Sequence, residues 1–394
     1  MKPMIIRTMT STLTQCTPAE LLANLPGILG FFPRESLVLT TFNQVPNSRR
    51  YLLGPVMRLD LGDTQALEEV GQVLSREEPD LVFGFLISTA EVEVVEDMAR
   101  DIFERSNRGL FDINACWTTR EVLTGEPYQL VFGPGEEELS QILRNNDDWR
   151  NGRISPVSTA IAMEPLLRNG QLPELNRDDA FDYFNRFNPL FDAAEAAALE
   201  SFAARHAADL CERIQQEVES GESEALGAII ADFALILEEN EETGADVETL
   251  MATEEQLLTV AIYLSESLLR DAVLGVGLKY RRSSLALALA VARTFGGTIR
   301  ANALSFYAVV AIGAQLSMQA VPALLAAQKE VPGHTLSAFL LDGAQVGAHD
   351  AILEATRRGS ELVADKYRVP ETLRMKFTGT DEPETDGGEG LAAS

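Results

Sequence analysis

Leu81-Val82-Phe83-Gly84-Phe85-Leu86-Ile87 is apolar from end to end. A run of this length without polar alternation is what a strand buried on both faces of a sheet requires. The covering layers must come from nearby helices, and the flanking sequence supplies them. Before the run, Thr64–Arg76 places Leu67, Val70, Val73 and Leu74 at helical spacing; after it, Val92, Val95, Met98, Ile102 and Phe103 line a second helix. Further out, Ser36–Phe42 and Tyr51–Leu61 read as two strands joined by the polar loop Asn43–Arg50. Ile113, Ala115 and Trp117 alternate as a strand, and Tyr128–Phe132 follows the turn Gly125-Glu126-Pro127. Ahead of all these, Thr17-Pro18-Ala19-Glu20 starts a short helix with a capping residue, Pro at its first position and Glu three residues on; Pro26 and Gly30 are expected to end it. The order β-β-α-β-α-β-β predicts an α/β domain with a mixed sheet over residues 1–150. Strands joined through helices would be parallel neighbours, and the first pair a hairpin.

After residue 150 the strand signals stop. Asp179–Phe187 and Ala193–Val218 read as helices, and helical patterns run from Glu254 to Lys366, so residues 151–370 are expected to form an all-helical domain. Within it, Leu304, Tyr307, Ala308, Ala320, Leu324 and Ala327, counted back from Pro332, follow the small-and-large spacing of a tetratricopeptide-like helical hairpin. Neighbouring windows do not repeat it, so an ordinary antiparallel helix pair and a degenerate peptide-binding hairpin both fit. Gly275-Val276-Gly277 lies in an apolar helical pattern and reads as close helix packing rather than a nucleotide loop.

The chain of 394 residues has 32 Lys and Arg against 60 Asp and Glu, a net charge of −28. Such a field repels phosphate backbones, which argues against nucleic acid as a partner. From Ile214 to Leu269 there are fourteen acids and no Lys or Arg. This acidic insert, near residues 214–256, reads as an acidic-faced helix (Leu226, Ile229, Ile230, Phe233, Ile236, Leu237) followed by an exposed loop, Glu238–Glu248. Thr378–Ser394 has five acids and no base, and residues 371–394 are expected to form a disordered acidic tail. Both stretches are either solvated or attract a basic protein partner. The first sixteen residues lack the apolar core of a signal peptide. The longest apolar stretches, Leu285–Ala292 and Phe306–Ala314, fall far short of the roughly 20 residues that span a bilayer. A cytoplasmic protein with no membrane contact is expected.

His206, His334 and His349 share no metal-ligand spacing, and Cys16, Cys116 and Cys211 are isolated, so no metal and no cofactor are expected. Neither a P-loop nor a G-x-S-x-G nucleophile elbow is present. One constellation stands out. Phe32-Pro33-Arg34-Glu35-Ser36 leads into the first strand, and Arg58 and Asp60, two apart in the second, point to one face. Asp60 falls near that strand's carboxyl end, where open α/β sheets place their ligand crevice. Arg34, Ser36, Arg58 and Asp60 therefore form a candidate polar ligand site. The competing reading is a structural ion pair, or a helix cap near Asp63.

The same residues resemble a known family. Leu29-Gly30-Phe31-Phe32-Pro33-Arg34-Glu35-Ser36-Leu37-Val38 followed by Arg58-Leu59-Asp60-Leu61 is similar to the opening of an actinobacterial family known as domain of unknown function 4192. Ser155-Pro156-Val157, Gly170-Gln171-Leu172-Pro173 and Arg177 match its middle. Arg270-Asp271-Ala272 and Pro332-Gly333-His334-Thr335-Leu336-Ser337 match its end. The resemblance covers residues 15–355 and implies no established activity. Many members carry a cysteine cluster ending in Cys-Cys-Pro; here only Cys116 stands in that region, so no metal or redox role carries over. A non-catalytic interaction or regulatory protein is the expected function. The alternative is an enzyme or small-metabolite binder that uses the polar site on the sheet.

Overall fold

The computed structural model describes residues 4–6, 17–48, 50–106, 112–134, 147–221 and 223–374. Among these, seven strands form one mixed sheet: β1 (Met4–Ile6), β2 (Ser36–Gln44), β3 (Tyr51–Asp60), β4 (Leu81–Ile87), β5 (Ala115–Thr119), β6 (Pro127–Phe132) and β7 (Asn151–Arg153), in the order β1-β3-β2-β4-β5-β6-β7. Between them lie α1 (Pro18–Leu29), α2 (Thr64–Glu77), α3 (Val92–Arg105) and α4 (Asp147–Arg150). β4 runs through the middle of the sheet and is buried from both sides. Val82 and Leu86 turn toward α2 and α3, whereas Phe85 and Ile87 turn to the opposite face.

β2 and β3 form the expected antiparallel hairpin, with Val38 opposite Arg58, and β4 and β5 are parallel. The expected pairing of strands joined through α2 is not found. β2 already occupies that side of β3, so the α2 crossover passes over it and β4 pairs antiparallel with β2. The three-residue strands β1 and β7 extend the sheet at its two edges. Such short segments show no alternation in a sequence, and β7 corrects the expectation that strands stop at residue 150.

α1 begins as the sequence predicts, with a full capping box between Thr17 and Glu20 and Pro18 at its first position. It does not end at Pro26. The helix continues to Leu29, and Gly30, at φ 80°, closes it in the left-handed conformation. Nearly every residue of α1 is buried, because the segment 154–176 straps across it. Ser155 N–H donates to the Ala19 carbonyl (3.2 Å), Ala162 N–H to Asn24 Oδ1 (2.8 Å), and Glu174 N–H to the Gly30 carbonyl (2.8 Å). Phe32 N–H returns a bond to the Glu174 carbonyl at 2.9 Å. A Cβ at Gly27 would lie 2.4 Å from Ala162, so only glycine permits this approach.

The remainder is helix-rich: α5 (Glu164–Arg168), α6 (Arg177–Asp182), α7 (Ala193–Ser220), α8 (Glu224–Thr243), α9 (Val247–Met251), α10 (Glu254–Ser265), α11 (Ser267–Leu274), α12 (Arg281–Thr294), α13 (Gly297–Gly313), α14 (Ser317–Glu330), α15 (Thr335–Gln345) and α16 (His349–Lys366). Glu238–Glu248 is not a loop. α8 runs on to Thr243 before Gly244 turns left-handed, because glutamate is a good helix former on a solvated face. α13 and α14 follow one another and pack together, with Ala308, Ala320 and Ala327 wholly buried. Every residue of α13 from Ile299 to Ile312 is buried, so this helix is enclosed on all sides. A Cβ at Gly277 would lie 2.3 Å from the Phe306 ring, which is the close packing expected of Gly275-Val276-Gly277. Residues 371–373, expected in the tail, form a 3-10 turn whose Leu373 packs on Gly227; the rest of the tail from residue 375 lies outside the described residues.

A single hydrophobic core runs from one sheet face (Val38, Val56, Phe85, Trp117) through α1 into α10, α12, α13 and α14. The opposite face has its own core, formed with α2 and α3. Among the described residues no helix is long and apolar enough to cross a membrane.

Candidate functional site

Strand register places three carboxyl ends at one edge of the sheet. Ser36, at the start of β2, is flanked by Asp60 of β3 and Ile87 of β4, and Ile87 is in turn paired with Thr119 of β5. In open α/β sheets this edge is where loops build ligand sites.

The structure brings Ser36, Arg58 and Asp60 together. Arg58, with its side chain 7% exposed, donates through Nε to Ser36 Oγ (2.8 Å) and through Nη2 to the Arg34 carbonyl (3.3 Å), and its Nη1 lies 2.5 Å from Asp60 Oδ1. Ser36 Oγ donates to the same Arg34 carbonyl at 2.6 Å. Arg34 contributes only this main-chain oxygen; its side chain is exposed. Asp60 is 44% exposed and also faces Arg177 Nη1 of α6 at 3.6 Å. One carboxylate therefore stands between two guanidinium groups, one from the sheet and one from the helical region. Burial and the neighbouring Arg58 both lower the Arg177 pKa. Asp63 caps α2 by accepting from Ala66 N–H at 3.0 Å.

Glu35, between Arg34 and Ser36, makes the next link. Its Oε2 accepts from Ser88 Oγ (2.6 Å), and its Oε1 accepts from Thr89 N–H (2.8 Å) and Thr89 Oγ1 (2.8 Å). Burial opposes ionisation of Glu35, but these hydrogen bonds outweigh it and hold the carboxyl below its ordinary value. An isolated Glu in a polar loop carries no signal in a sequence; only the turn it grips distinguishes Glu35.

Beyond that turn opens a cleft of about 1150 Å³. Its polar end comes from Ser88, Thr89, Thr118, Thr119 and Arg120, at the carboxyl ends of the parallel pair β4 and β5. Its walls come from Val95, Ala99 and Phe103 of α3 and from Leu130 and Phe132 of β6, with Phe103 and Phe132 in contact at 5.0 Å between ring centres. Both Arg100 and Glu96 reach it, so its charge is mixed. Cys116 is not part of it. Burial pushes that thiol up to about 12, so it stays protonated at neutral pH.

A second polar cluster lies among the helices. Asn302 Oδ1 on α13 accepts from Arg270 Nη1 (2.7 Å) and faces His334 Nε2 (2.9 Å), while Asn302 Nδ2 donates to the Leu264 carbonyl (2.7 Å). These partners fix the amide orientation, so His334 donates from Nε2. His334 Nδ1 accepts from Ser337 N–H at 3.3 Å and caps α15. Burial first, and the Arg270 charge second, depress the His334 pKa. Ser337, His334 and Asn302 follow the order of a nucleophilic triad, but Ser337 is wholly buried. The set is a joint between α11, α13 and α15, and it unites two of the motif blocks read from the sequence, Arg270-Asp271 and His334–Ser337. Among the described residues no group of three or more His, Cys, Asp or Glu is placed to hold a metal ion.

These blocks are spread along the chain, and so is the match to known families. A family described as a domain of unknown function (DUF4192) matches residues 18–351. The chain belongs to this family. No curated protein and no solved structure matches it. Within the family's span, the opening block lies under the middle one through Gly30, Phe32 and Glu174, and through Asp60 and Arg177.

Proposed function

We propose that the chain binds a small molecule with a polar head and an apolar body in the cleft between α3 and β6. The observation that carries this reading is the position of the cleft, along the carboxyl ends of the parallel strands β4 and β5. Its size suits a metabolite-sized ligand, and its hydroxyl-rich end and apolar walls provide orientation and burial. In this reading Arg34, Ser36, Arg58 and Asp60 are not the floor of the site. They brace the edge beside it, with Glu35 as the connection. The interaction reading, with a tetratricopeptide-like hairpin as its docking element, has less support, since α13 is enclosed and leaves that hairpin no open face on that helix. What favours a protein partner instead is the rim of the same cleft, where Val92 is 72% and Phe103 43% exposed. Methyl-labelled protein titrated with a library of polar metabolites tests the proposal. Saturable shifts at Val95, Leu130 and Val131 are expected for at least one compound; a library that leaves those methyls unmoved would count against it.

A further inference from the structure

We propose that Glu35 is a positioning residue for the cleft, holding the turn between β4 and α3 in the shape that forms the cleft's polar end. This rests on the ligand-binding reading above. The backbone is the first observation. Glu35 sits at φ 41°, in the left-handed region that a Cβ disfavours and glycine occupies freely. Strain of this kind persists where the surroundings over-determine a geometry, and it collects at sites whose shape matters. The side chain is the second. Both carboxylate oxygens are spent on one turn, with Ser88 Oγ at 2.6 Å and the Thr89 amide and hydroxyl each at 2.8 Å. Ser88 Oγ in turn accepts from Ala90 N–H at 3.1 Å, which passes the constraint to the approach of α3. The main chain is the third. Leu61 N–H donates to the Glu35 carbonyl at 3.1 Å, so the residue ties the end of β3 to the end of β4. Ser88, Thr89, Ala90 and Glu91 all line the cleft, and a shift of the carboxylate would move them together.

Glu35→Gly and Glu35→Gln separate this role from a merely structural one. Glycine suits the backbone at this φ and deletes the carboxylate, so the fold is retained; glutamine keeps an oxygen that can still accept from Thr89. Two quantities are read on the full chain: amide exchange at residues 89–92, and the affinity of the probe anilinonaphthalene sulfonate, followed through the Val92, Val95, Leu130 and Val131 methyls. In Glu35→Gly exchange is expected to rise about tenfold and the probe to weaken about fivefold or more, with most of both recovered in Glu35→Gln. Wild-type exchange in Glu35→Gly would overturn the proposal. Faster exchange with unchanged probe affinity would overturn it too, since the turn would then loosen without the cleft responding. Should the wild-type methyls ignore the probe altogether, the cleft reading itself falls, and the exchange rates still show separately whether the turn depends on Glu35.

Discussion

Asp60 is the residue at which the two readings of the polar constellation part. A ligand site would tolerate its loss in folding, whereas a brace would not. Asp60 neutralises Arg58, which is buried, and also faces Arg177. Breaking a fully buried ion pair from one side costs about 3–5 kcal/mol, and an exposed pair about 0–1 kcal/mol. Asp60 is partly exposed, and Arg58 retains Ser36 Oγ and the Arg34 carbonyl. Asp60→Asn is therefore expected to lower stability by roughly 1–3 kcal/mol in urea unfolding. An unchanged midpoint would return this residue to the list of ligand contacts. Arg58 and Asp60 were legible as a pair because strand periodicity places them on one face, and Ser36 because the hairpin sets the start of β2 beside the end of β3. Arg177 was legible only as part of a motif, since nothing local in a sequence reports which distant carboxylate an arginine will meet.

Helix ends and helix faces carry the next predictions. His334 caps α15 through Nδ1 and meets Asn302 through Nε2, an arrangement suited to the neutral ring. Its pKa is depressed by burial and Arg270, so the unfolded chain takes up the proton more readily than the folded one. The contribution of His334 is then fully present above its ordinary value of 6.5 and is lost as pH falls below it. His334→Asn keeps a capping side chain that does not titrate. Melting temperatures of the two proteins should diverge in pH dependence as the pH falls below 6.5, with the wild type falling faster. At the α13–α14 contact, Ala320 is wholly buried. Ala320→Leu is expected to cost about 1–3 kcal/mol through overpacking, and a melt that does not shift would contradict the packing described. The element pattern itself was largely readable: β4 from its apolar run, α2 and α3 from their stripes, α1 from its cap. What was not readable has physical causes. β1 and β7 are too short to show a period, and the acidic end of α8 is polar all round, so charge hid its helical propensity.

At the scale of the whole molecule, the net charge of −28 sets the expected response to polyanions. Anisotropy titrations with duplex DNA at physiological salt should show no binding above background; a micromolar dissociation constant that weakens steeply with salt would contradict this. The strand order was not legible, because whether the chain passes over β2 depends on which neighbour is already occupied. The continuity of the core was equally hidden, because a change from strands to helices in sequence does not say whether their apolar faces meet. A fragment ending at residue 150 should therefore lack cooperative unfolding, since α1 would lose the strap and helices that cover Leu22, Leu25 and Leu29. A sharp melt of that fragment would show otherwise.

The strap over α1 also sets an order of events during synthesis. The β2–β3 hairpin can pair as soon as it leaves the ribosome, but Phe32 must wait for Glu174, Asp60 for Arg177, and the face of α1 for helices translated still later. Through that interval the nascent chain carries an apolar helix with only the sheet face to cover it, the kind of surface that holdase chaperones shield. Rare codons or a pause between residues 60 and 177 would lengthen the exposure, and the yield of native protein should be most sensitive to translation speed there.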